Sequence, residues 1–176
     1  MKIRLSFIIV SAMLFFTACS QEKKQVEVPK DDLSSKTVKP NGPINDFEKV
    51  FNREQRYALL QLVGDYKTAT GIEIFVVTID STMVTRDEFN NYTFKLGNEW
   101  EIAKETGKGI LIGFSRSYRM IRINNNHSIE KLISDQETKE IVDKYFIPNF
   151  KNGKYFEGTF QGITALKDLL KTKIKQ

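Results

Sequence analysis

The chain has 176 residues, of which 40% are hydrophobic and 28% are charged, and this is the composition of one soluble globular domain rather than a multidomain enzyme. The net charge of +5, from 27 Lys+Arg against 22 Asp+Glu, raises nucleic-acid binding as a class to be tested. The single cysteine excludes an intrachain disulfide and a cysteine-based zinc site, and the single histidine, His127, excludes motifs that need two histidines.

Residues 1–19 have the pattern of a secretory signal. Lys2 and Arg4 precede an apolar run over residues 5–16, which is too short to cross a membrane, because a helical span needs about 20 residues. Two small residues then lead to Cys19, an arrangement that resembles the bacterial lipoprotein signal, in which the cysteine receives lipid. We therefore predict lipidation of Cys19 and a location in the cell envelope, on the periplasmic side or at the cell surface. The alternative is that Cys19 is an ordinary buried thiol.

Residues 20–43 have the composition of a flexible tether. They are rich in Lys, Glu, Asp and Ser, they hold three of the chain's four prolines, and their apolar residues follow neither the helical nor the strand period. We predict a disordered segment between the membrane and a domain that occupies residues 44–176. The alternative is an ordered arm packed on the domain, with Val26, Val28, Leu33 and Val38 as its apolar anchors.

The first half of the domain predicts a helix followed by a buried strand. Apolar residues recur at helical spacing over residues 53–70, where Asn52 and Gln55 have the spacing of a capping box and Gly71 is suited to end the helix. Residues 72–79 are nearly all apolar and rich in β-branched side chains, which is typical of a strand covered on both faces. A buried strand between helices indicates a layered α/β fold.

The second half predicts two strands and three helices. A short polar turn separates the two strands, which therefore form a hairpin. The predicted elements are a helix from the capping pair Thr85 and Glu88 to about residue 104, strands over residues 110–114 and 119–124, a helix opened by Ser134 and Glu137 and ended by Pro148, and a last helix over residues 158–171.

Four carboxylates stand where predicted strands and helices begin or end. They are Asp46, Asp80, Glu130 and Asp135. Ligands of open α/β sheets collect at such places, and carboxylate oxygens suit hard cations such as Ca²⁺ or Mg²⁺, so Asp46, Glu130 and Asp135 are the candidate metal ligands. The alternative is structural, with Asp46 and Asp135 satisfying free amides at helix starts and Glu130 in solvent.

Two further residues are candidate contacts for a phosphate or an acidic ligand. Arg122 lies on the second strand of the hairpin, near other arginines, and His127 lies in the polar turn that follows. Alternation along the strand separates Arg122 from Arg119, and a solvated rim is the alternative interpretation.

Five blocks of the domain, taken in chain order, carry a resemblance to a known family. They are Ile44-Asn45-Asp46-Phe47, residues 71–78, residues 109–123 (GILIGFSRSYRMIRI), Glu130 with Asp135, and Ile147-Pro148-Asn149-Phe150 with Gly153, Tyr155 and Gly158. In order and spacing they resemble the TPM domain family, which is found in bacterial extracytoplasmic proteins and in a thylakoid-lumen protein with acid phosphatase activity.

The resemblance implies a three-layer α/β/α sandwich, in which a mixed β-sheet of about four strands is flanked by helices. Members of the family have been described as phosphatases, as binders of divalent metals and as non-enzymatic accessory factors of membrane complexes. The resemblance therefore leaves the activity open, and the site residues decide between these roles.

The chain departs from the family pattern in two loops. Gly107-Lys108 stands where many members carry Asp-Asn, so one candidate acidic ligand is replaced by a residue without a side chain. Asn126-His127-Ser128 stands where members carry Gly-Tyr-Gly, which should reshape a loop that is expected to need positive φ. Both departures weaken metal binding and hydrolysis as predictions.

We therefore expect a lipid-anchored accessory or binding module for an envelope membrane protein, with a monomeric domain. The alternative is a metal-assisted phosphatase acting on phosphomonoesters, with Asp46, Glu130 and Asp135 as ligands of Ca²⁺ or Mg²⁺ and Arg122 near the phosphate. Nucleic-acid binding is not expected, because residues 44–176 hold 20 Lys+Arg against 18 Asp+Glu and their aromatic residues follow helix and strand faces.

Overall fold

A computed structural model describes residues 37–174 of the chain. The predicted signal with Cys19, and residues 20–36 of the predicted tether, lie outside the described residues. No helix within residues 37–174 is both long and apolar enough to cross a membrane. In chain order the elements are β1 (Ile44–Asp46), α1 (Arg53–Thr70), β2 (Glu73–Thr78), α2 (Phe89–Glu99), β3 (Gly109–Ser115), β4 (Met120–Asn125), α3 (His127–Glu130), α4 (Asp135–Ile141), a π-helical segment (Val142–Phe146), α5 (Ile147–Lys151) and α6 (Tyr155–Ile174).

The strands form one four-stranded mixed sheet in the order β1-β2-β3-β4. β1, β2 and β3 run parallel, and β4 returns antiparallel to β3 as the second strand of the predicted hairpin. Asp46 is in register with Thr78, and Thr78 with Phe114. The carboxyl ends of the three parallel strands therefore lie side by side at one end of the sheet, which we call its carboxyl edge.

Helices cover both faces of this sheet, because successive residues of each strand point to opposite sides. On one face, α1, the π-helical segment and α6 pack over a cluster that includes Ile74 and Ile112. On the other face, α2 packs over Val77 and Leu111. The predicted α/β fold, a mixed sheet between two helical layers, is confirmed.

The connections that leave β1 and β2 pass to opposite faces, since α1 and α2 lie on different sides of the sheet. In open α/β sheets, a crevice at the carboxyl ends of such neighbouring strands is where ligands bind. Asp46 and Thr78 end the two strands that flank this position.

Residues 37–43, the last part of the predicted tether, lie on the domain. The Val38 carbonyl accepts a hydrogen bond from Trp100 Nε1 at 2.6 Å, and the Val38 side chain packs against the cluster under α2. The Asn41 N–H donates to Asn45 Oδ1 at 2.7 Å. Val38 is thus an anchor of the kind that an ordered arm requires, and the folded part begins before residue 44.

Several predicted helix boundaries differ from the structure. α2 begins at Phe89 and ends at Glu99, short of the predicted end near residue 104. The predicted capping box with Thr85 does not form, because the Glu88 side chain accepts a hydrogen bond from Asn91 Nδ2 instead. The helix that begins at α4 does not end at Pro148, which lies in the first turn of α5. The π-helical segment directly before it shifts the hydrogen-bond ladder, since the Ile147 N–H donates to the Val142 carbonyl five residues back.

α6 approaches the preceding helices so closely that glycine is required at the contact. It begins at Tyr155, three residues before the predicted start. A Cβ at Gly162 would lie 2.0 Å from Phe146 Cε2, and a Cβ at Gly158 would lie 2.8 Å from Phe150 Cε1. The two glycines therefore allow the aromatic rings of the π-helical segment and α5 to rest on the backbone of α6.

Candidate functional site

Asp46 ends β1 and joins it to β2 and to the turn that leads into α1. Its Oδ1 accepts hydrogen bonds from Thr78 Oγ1 and from the Val50 N–H, each at 3.0 Å. Its Oδ2 accepts one from the Phe51 N–H at 2.9 Å. Both carboxylate oxygens are therefore occupied by protein donors, as in the structural alternative to a metal ligand.

Glu48 is a second carboxylate at this edge, and sequence reasoning missed it. The residue is 6% exposed, its Oε2 accepts the Arg116 N–H at 2.7 Å, and its Oε1 accepts the Ser117 N–H at 3.1 Å. These charge-assisted bonds fix the turn between β3 and β4. The Glu48 N–H donates in turn to Thr78 Oγ1 at 2.9 Å, which joins Glu48 to the Asp46 network. Its place directly after the Asn-Asp-Phe block is the one signal that could have found it.

Asp80 lies just beyond the end of β2, at the same edge of the sheet. Its Oδ1 accepts hydrogen bonds from the Thr82 N–H at 2.9 Å and from the Thr82 hydroxyl at 2.7 Å. These two bonds, the backbone one first, hold the pKa of Asp80 below its ordinary value. The edge therefore carries a negative charge at neutral pH.

Glu130, Asp135 and His127 lie at the opposite edge of the sheet from Asp46, because they follow the antiparallel strand β4. His127 Nδ1 is 3.7 Å from Glu130 Oε2, and both side chains are exposed. Asp135 is the exposed first residue of α4, where a negative charge favours the amino-terminal turn. The structure thus brings His127 and Glu130 together and separates both from Asp46.

The residues proposed as a metal site do not form a ligand cluster. Within residues 37–174, no group of three or more His, Cys, Asp or Glu side chains is placed to hold a metal ion. Asp46 lies at the carboxyl ends of the parallel strands, whereas Glu130 and Asp135 lie at the opposite end of the sheet. The three carboxylates therefore do not fit one Ca²⁺ or Mg²⁺ ion.

Arg122, the proposed phosphate contact, is an exposed residue of β4. Its Nε donates to Asn124 Oδ1 at 3.2 Å, and in the sheet register it lies opposite Gly113. This places it at mid-strand, whereas His127 follows the end of the strand. The two proposed contacts therefore do not share a pocket.

The two loops that depart from the family pattern contact each other. Asn126 Nδ2 donates to the Gly107 carbonyl at 3.0 Å, and Asn126 Oδ1 accepts the Ile129 N–H at 3.2 Å, which caps α3. Asn126 has a φ of −77°, so the expectation that this loop needs positive φ is wrong. The left-handed residue is Gly107, with a φ of 73°.

A cavity of about 560 Å³ lies beside the turn between β3 and β4. One wall comes from the ends of the two strands and the other from α5 and the start of α6. The side chains that line it include Ser115, Arg119, Met120 and Ile121 from the hairpin, and Ile147, Phe150, Lys151 and Tyr155 from the helices. No sequence signal joined these two segments, because α3 and α4 lie between them.

Phe150 and Tyr155 form the aromatic floor of the cavity, with the buried Phe114 behind them, and the rim of the cavity is positively charged. The ring centroids of Phe150 lie 4.7 Å from Phe114 and 5.1 Å from Tyr155. The rings of Phe114 and Tyr155 are nearly parallel, with their centroids 6.0 Å apart. Arg119 and Lys151 are exposed beside these rings, and within residues 37–174 neither forms an ion pair with an acidic side chain.

The class of protein that the fold defines is an α/β domain with a four-stranded mixed sheet between two helical layers. A family model named for a TPM phosphatase, and described as the TPM domain, matches residues 44–169. The chain therefore belongs to the TPM domain family, as its sequence blocks indicated.

Two solved structures share the fold. The solution NMR structure of the N-terminal domain of a protein from P. gingivalis is 22% identical, with 76% of this chain and 84% of that chain covered and a TM-score of 0.67. The NMR structure of the BA42 protein from the psychrophilic bacterium Bizionia argentinensis is 18% identical, with 72% and 86% covered and a TM-score of 0.60. No curated protein matches the chain at a significant level.

Proposed function

We propose that the protein is a lipid-anchored TPM domain that acts outside the cytoplasm as a binding module for an envelope membrane protein. The signal pattern that ends at Cys19 supports the anchor, and residues 20–36 supply a polar spacer. The domain then presents its cavity to a partner beside it in the envelope.

One observation carries this proposal, namely the chemistry of the cavity. Among the described residues that line it there is no carboxylate, histidine or cysteine, and its serine, Ser115, is 2% exposed. Ser115 Oγ donates to Glu48 Oε1 at 3.4 Å, and this carboxylate also holds two backbone amides of the turn. Apolar walls with two cations suit binding better than hydrolysis, which needs an activated nucleophile or water.

The anchor is tested by fractionation of cells that produce the full chain. The wild-type protein is expected in the membrane fraction and the Cys19→Ser variant outside it, because one lipidated residue provides the attachment. Ser20→Ala is the matched control and should stay with the membranes. A Cys19→Ser variant that remains membrane-bound to the same extent as the wild-type protein would contradict the lipid-anchor proposal.

The alternative proposal is a divalent-metal-assisted phosphatase, and it is supported by the name of the matching family model. Its test uses thermal melts of the purified chain with and without Ca²⁺, Mg²⁺ or Mn²⁺, since a metal that binds only the folded form must raise the melting temperature. Hydrolysis of p-nitrophenyl phosphate is measured beside the melts. Turnover that requires the added metal, and that the exposed-site variant Asp135→Ala abolishes without lowering the melting temperature, would favour the phosphatase over the binding module.

A further inference from the structure

β4 is an edge strand of the sheet, and the main-chain groups on its outer side pair with no described strand. β4 is the last strand of the sheet, and β3 is its neighbour on the inner side. The Asn126 N–H donates to the Gly109 carbonyl at 3.0 Å, which makes these two residues a hydrogen-bonded pair of the antiparallel ladder. Such pairs alternate along the ladder, so Asn124 and Arg122 also bond to β3.

The N–H and C=O groups of Ile121, Ile123 and Asn125 therefore point outward in the plane of the sheet, away from β3. The same alternation is visible on the other side of β3, where the Phe114 carbonyl accepts the Ile79 N–H of the neighbouring chain segment at 2.8 Å. An edge of this kind is a template for a further strand.

The cavity adjoins the first residues of this edge. Met120 and Ile121 line it from β4, and Ile147 and Phe150 line it from α5. A strand added to β4 would run about 4.8 Å from it, and alternate side chains of the added strand would face the same side as Ile121. One of these side chains would enter the cavity between β4 and α5.

The charges around the cavity select the chemistry of that side chain. Arg119 and Lys151 supply two cations, and no acidic residue is among the described residues that line the space. A carboxylate held between them would form charge-assisted hydrogen bonds, and its apolar neighbours would contact the aromatic floor. The site therefore fits an acidic residue within an apolar, extended segment.

We propose that the edge of β4 and the cavity together bind an extended acidic-apolar segment of a partner protein, which adds to the sheet as a fifth strand. This inference rests on the proposed binding function and names the kind of partner. The added strand gives affinity through main-chain bonds to Ile121, Ile123 and Asn125, and the cavity gives specificity through Arg119 and Lys151.

The test measures binding of a blocked fluorescent octapeptide that alternates valine with threonine and carries one central glutamate. The full chain in detergent is titrated with this peptide and with the matched glutamine peptide. The glutamate peptide should bind about tenfold or more tightly than the glutamine peptide, because its carboxylate forms a charge-assisted hydrogen bond in the cavity. In the Arg119→Asn/Lys151→Gln variant the two peptides should bind equally. Asn is chosen because Arg119 has a φ of 54° and Asn tolerates that region.

The matched control is Arg56→Gln/Lys131→Gln, which removes the same charge from exposed positions of α1 and of the turn after α3. It should keep the preference for glutamate. Hydrogen exchange is the second readout, since the peptide should slow exchange of the Ile121, Ile123 and Asn125 amides and leave that of Asn124 unchanged.

Three results would overturn the inference. The first is no binding of the peptide at millimolar concentration, and the second is a glutamate preference that persists in the cavity variant. The third is protection of the outward amides as chain concentration rises without peptide, which would assign the edge to a second copy. The proposed binding function would survive each of these results if crosslinking in the envelope places a partner on another surface. A chain that is released from membranes or that hydrolyses phosphomonoesters would instead count against the proposed function itself.

Discussion

Asp46 Oδ1 accepts a hydrogen bond from Thr78 Oγ1 at 3.0 Å, and this bond joins the carboxyl ends of β1 and β2. The Thr78 hydroxyl also accepts the Glu48 N–H, so the chain that leaves β1 is held to its neighbour twice. The Asp46 carboxylate also holds the turn into α1, and the Glu48 carboxylate holds the turn of the β3–β4 hairpin. Asp46, a candidate metal ligand in the sequence, thus serves with Glu48 to build this end of the sheet.

Replacement of Asp46 should therefore cost stability. Asp46→Ala leaves the Val50 and Phe51 amides and the Thr78 hydroxyl without their acceptor, and we expect a loss of about 1–3 kcal/mol in the free energy of unfolding. Asp135→Ala, at an exposed position, should change it by about 0.5 kcal/mol or less. Urea unfolding of both variants checks this, and equal losses would contradict the structural role of Asp46.

Glu48→Gln should loosen the turn of the hairpin. The substitution keeps the size of the side chain but turns an NH₂ group toward a backbone donor, so we expect a loss of about 1–3 kcal/mol. The Arg116 and Ser117 amides should exchange with solvent faster than in the wild type. The exposed Glu54→Gln variant is the control, and unchanged exchange at the two turn amides would refute the role given to Glu48.

Gly162→Ala and Gly64→Ala form a matched pair within two helices. At Gly162 the new methyl group would lie 2.0 Å from Phe146, whereas at Gly64 nothing lies within 4 Å. We expect Gly162→Ala to cost about 1–3 kcal/mol through overpacking, and Gly64→Ala to gain about 0.5–1 kcal/mol through helix propensity. Thermal unfolding decides, and a neutral Gly162→Ala would show that α6 packs less closely.

The ion pair between Glu137 and Lys173 should make stability depend on acid pH. Lys173 Nζ lies 2.7 Å from Glu137 Oε1, and this contact, helped by Ser134, lowers the pKa of Glu137 from 4.5 to about 2. A carboxyl with a lowered pKa stabilises the fold above its unfolded value, and the contribution is lost as pH falls through the folded value.

Lys173→Gln should raise the pKa of Glu137 and flatten the pH dependence of stability between those two values. An NMR titration of the Glu137 carboxyl carbon measures this directly. Added salt should weaken the effect in the wild type, because the pair is near the surface. A pKa that Lys173→Gln leaves unmoved would assign the shift to the Ser134 cap alone.

Sequence periodicity and capping predicted much of the fold. The capping box of Asn52 and Gln55 forms as expected, and Gly71 ends α1 in the left-handed conformation. Thr85 and Glu88 have the same spacing without forming a box, because local spacing does not decide which partner a side chain takes. Pro148 predicts a helix end, but the helical chain continues through it into α5.

The site was less predictable because it depends on contacts between distant segments. The structural role of Asp46 was one of the two alternatives that the sequence left open. Glu48 carries no signal of its burial, since its partners are backbone amides of the hairpin turn, more than sixty residues away. Ile121 and Phe150 line the same cavity, although α3 and α4 separate them along the chain.

The central claim, that the domain binds a partner through the cavity beside β4, is tested most directly by photo-crosslinking in intact envelopes. A crosslinking amino acid is placed at Lys154, an exposed position between the cavity-lining residues Gly153 and Tyr155, in one strain and at Arg56, on the exposed side of α1, in another. We expect a specific crosslink from position 154 to an envelope membrane protein, its loss when Arg119→Asn/Lys151→Gln is added, and no such product from position 56. Equal products from both positions, or a product at 154 that Arg119→Asn/Lys151→Gln leaves unchanged, would contradict the account.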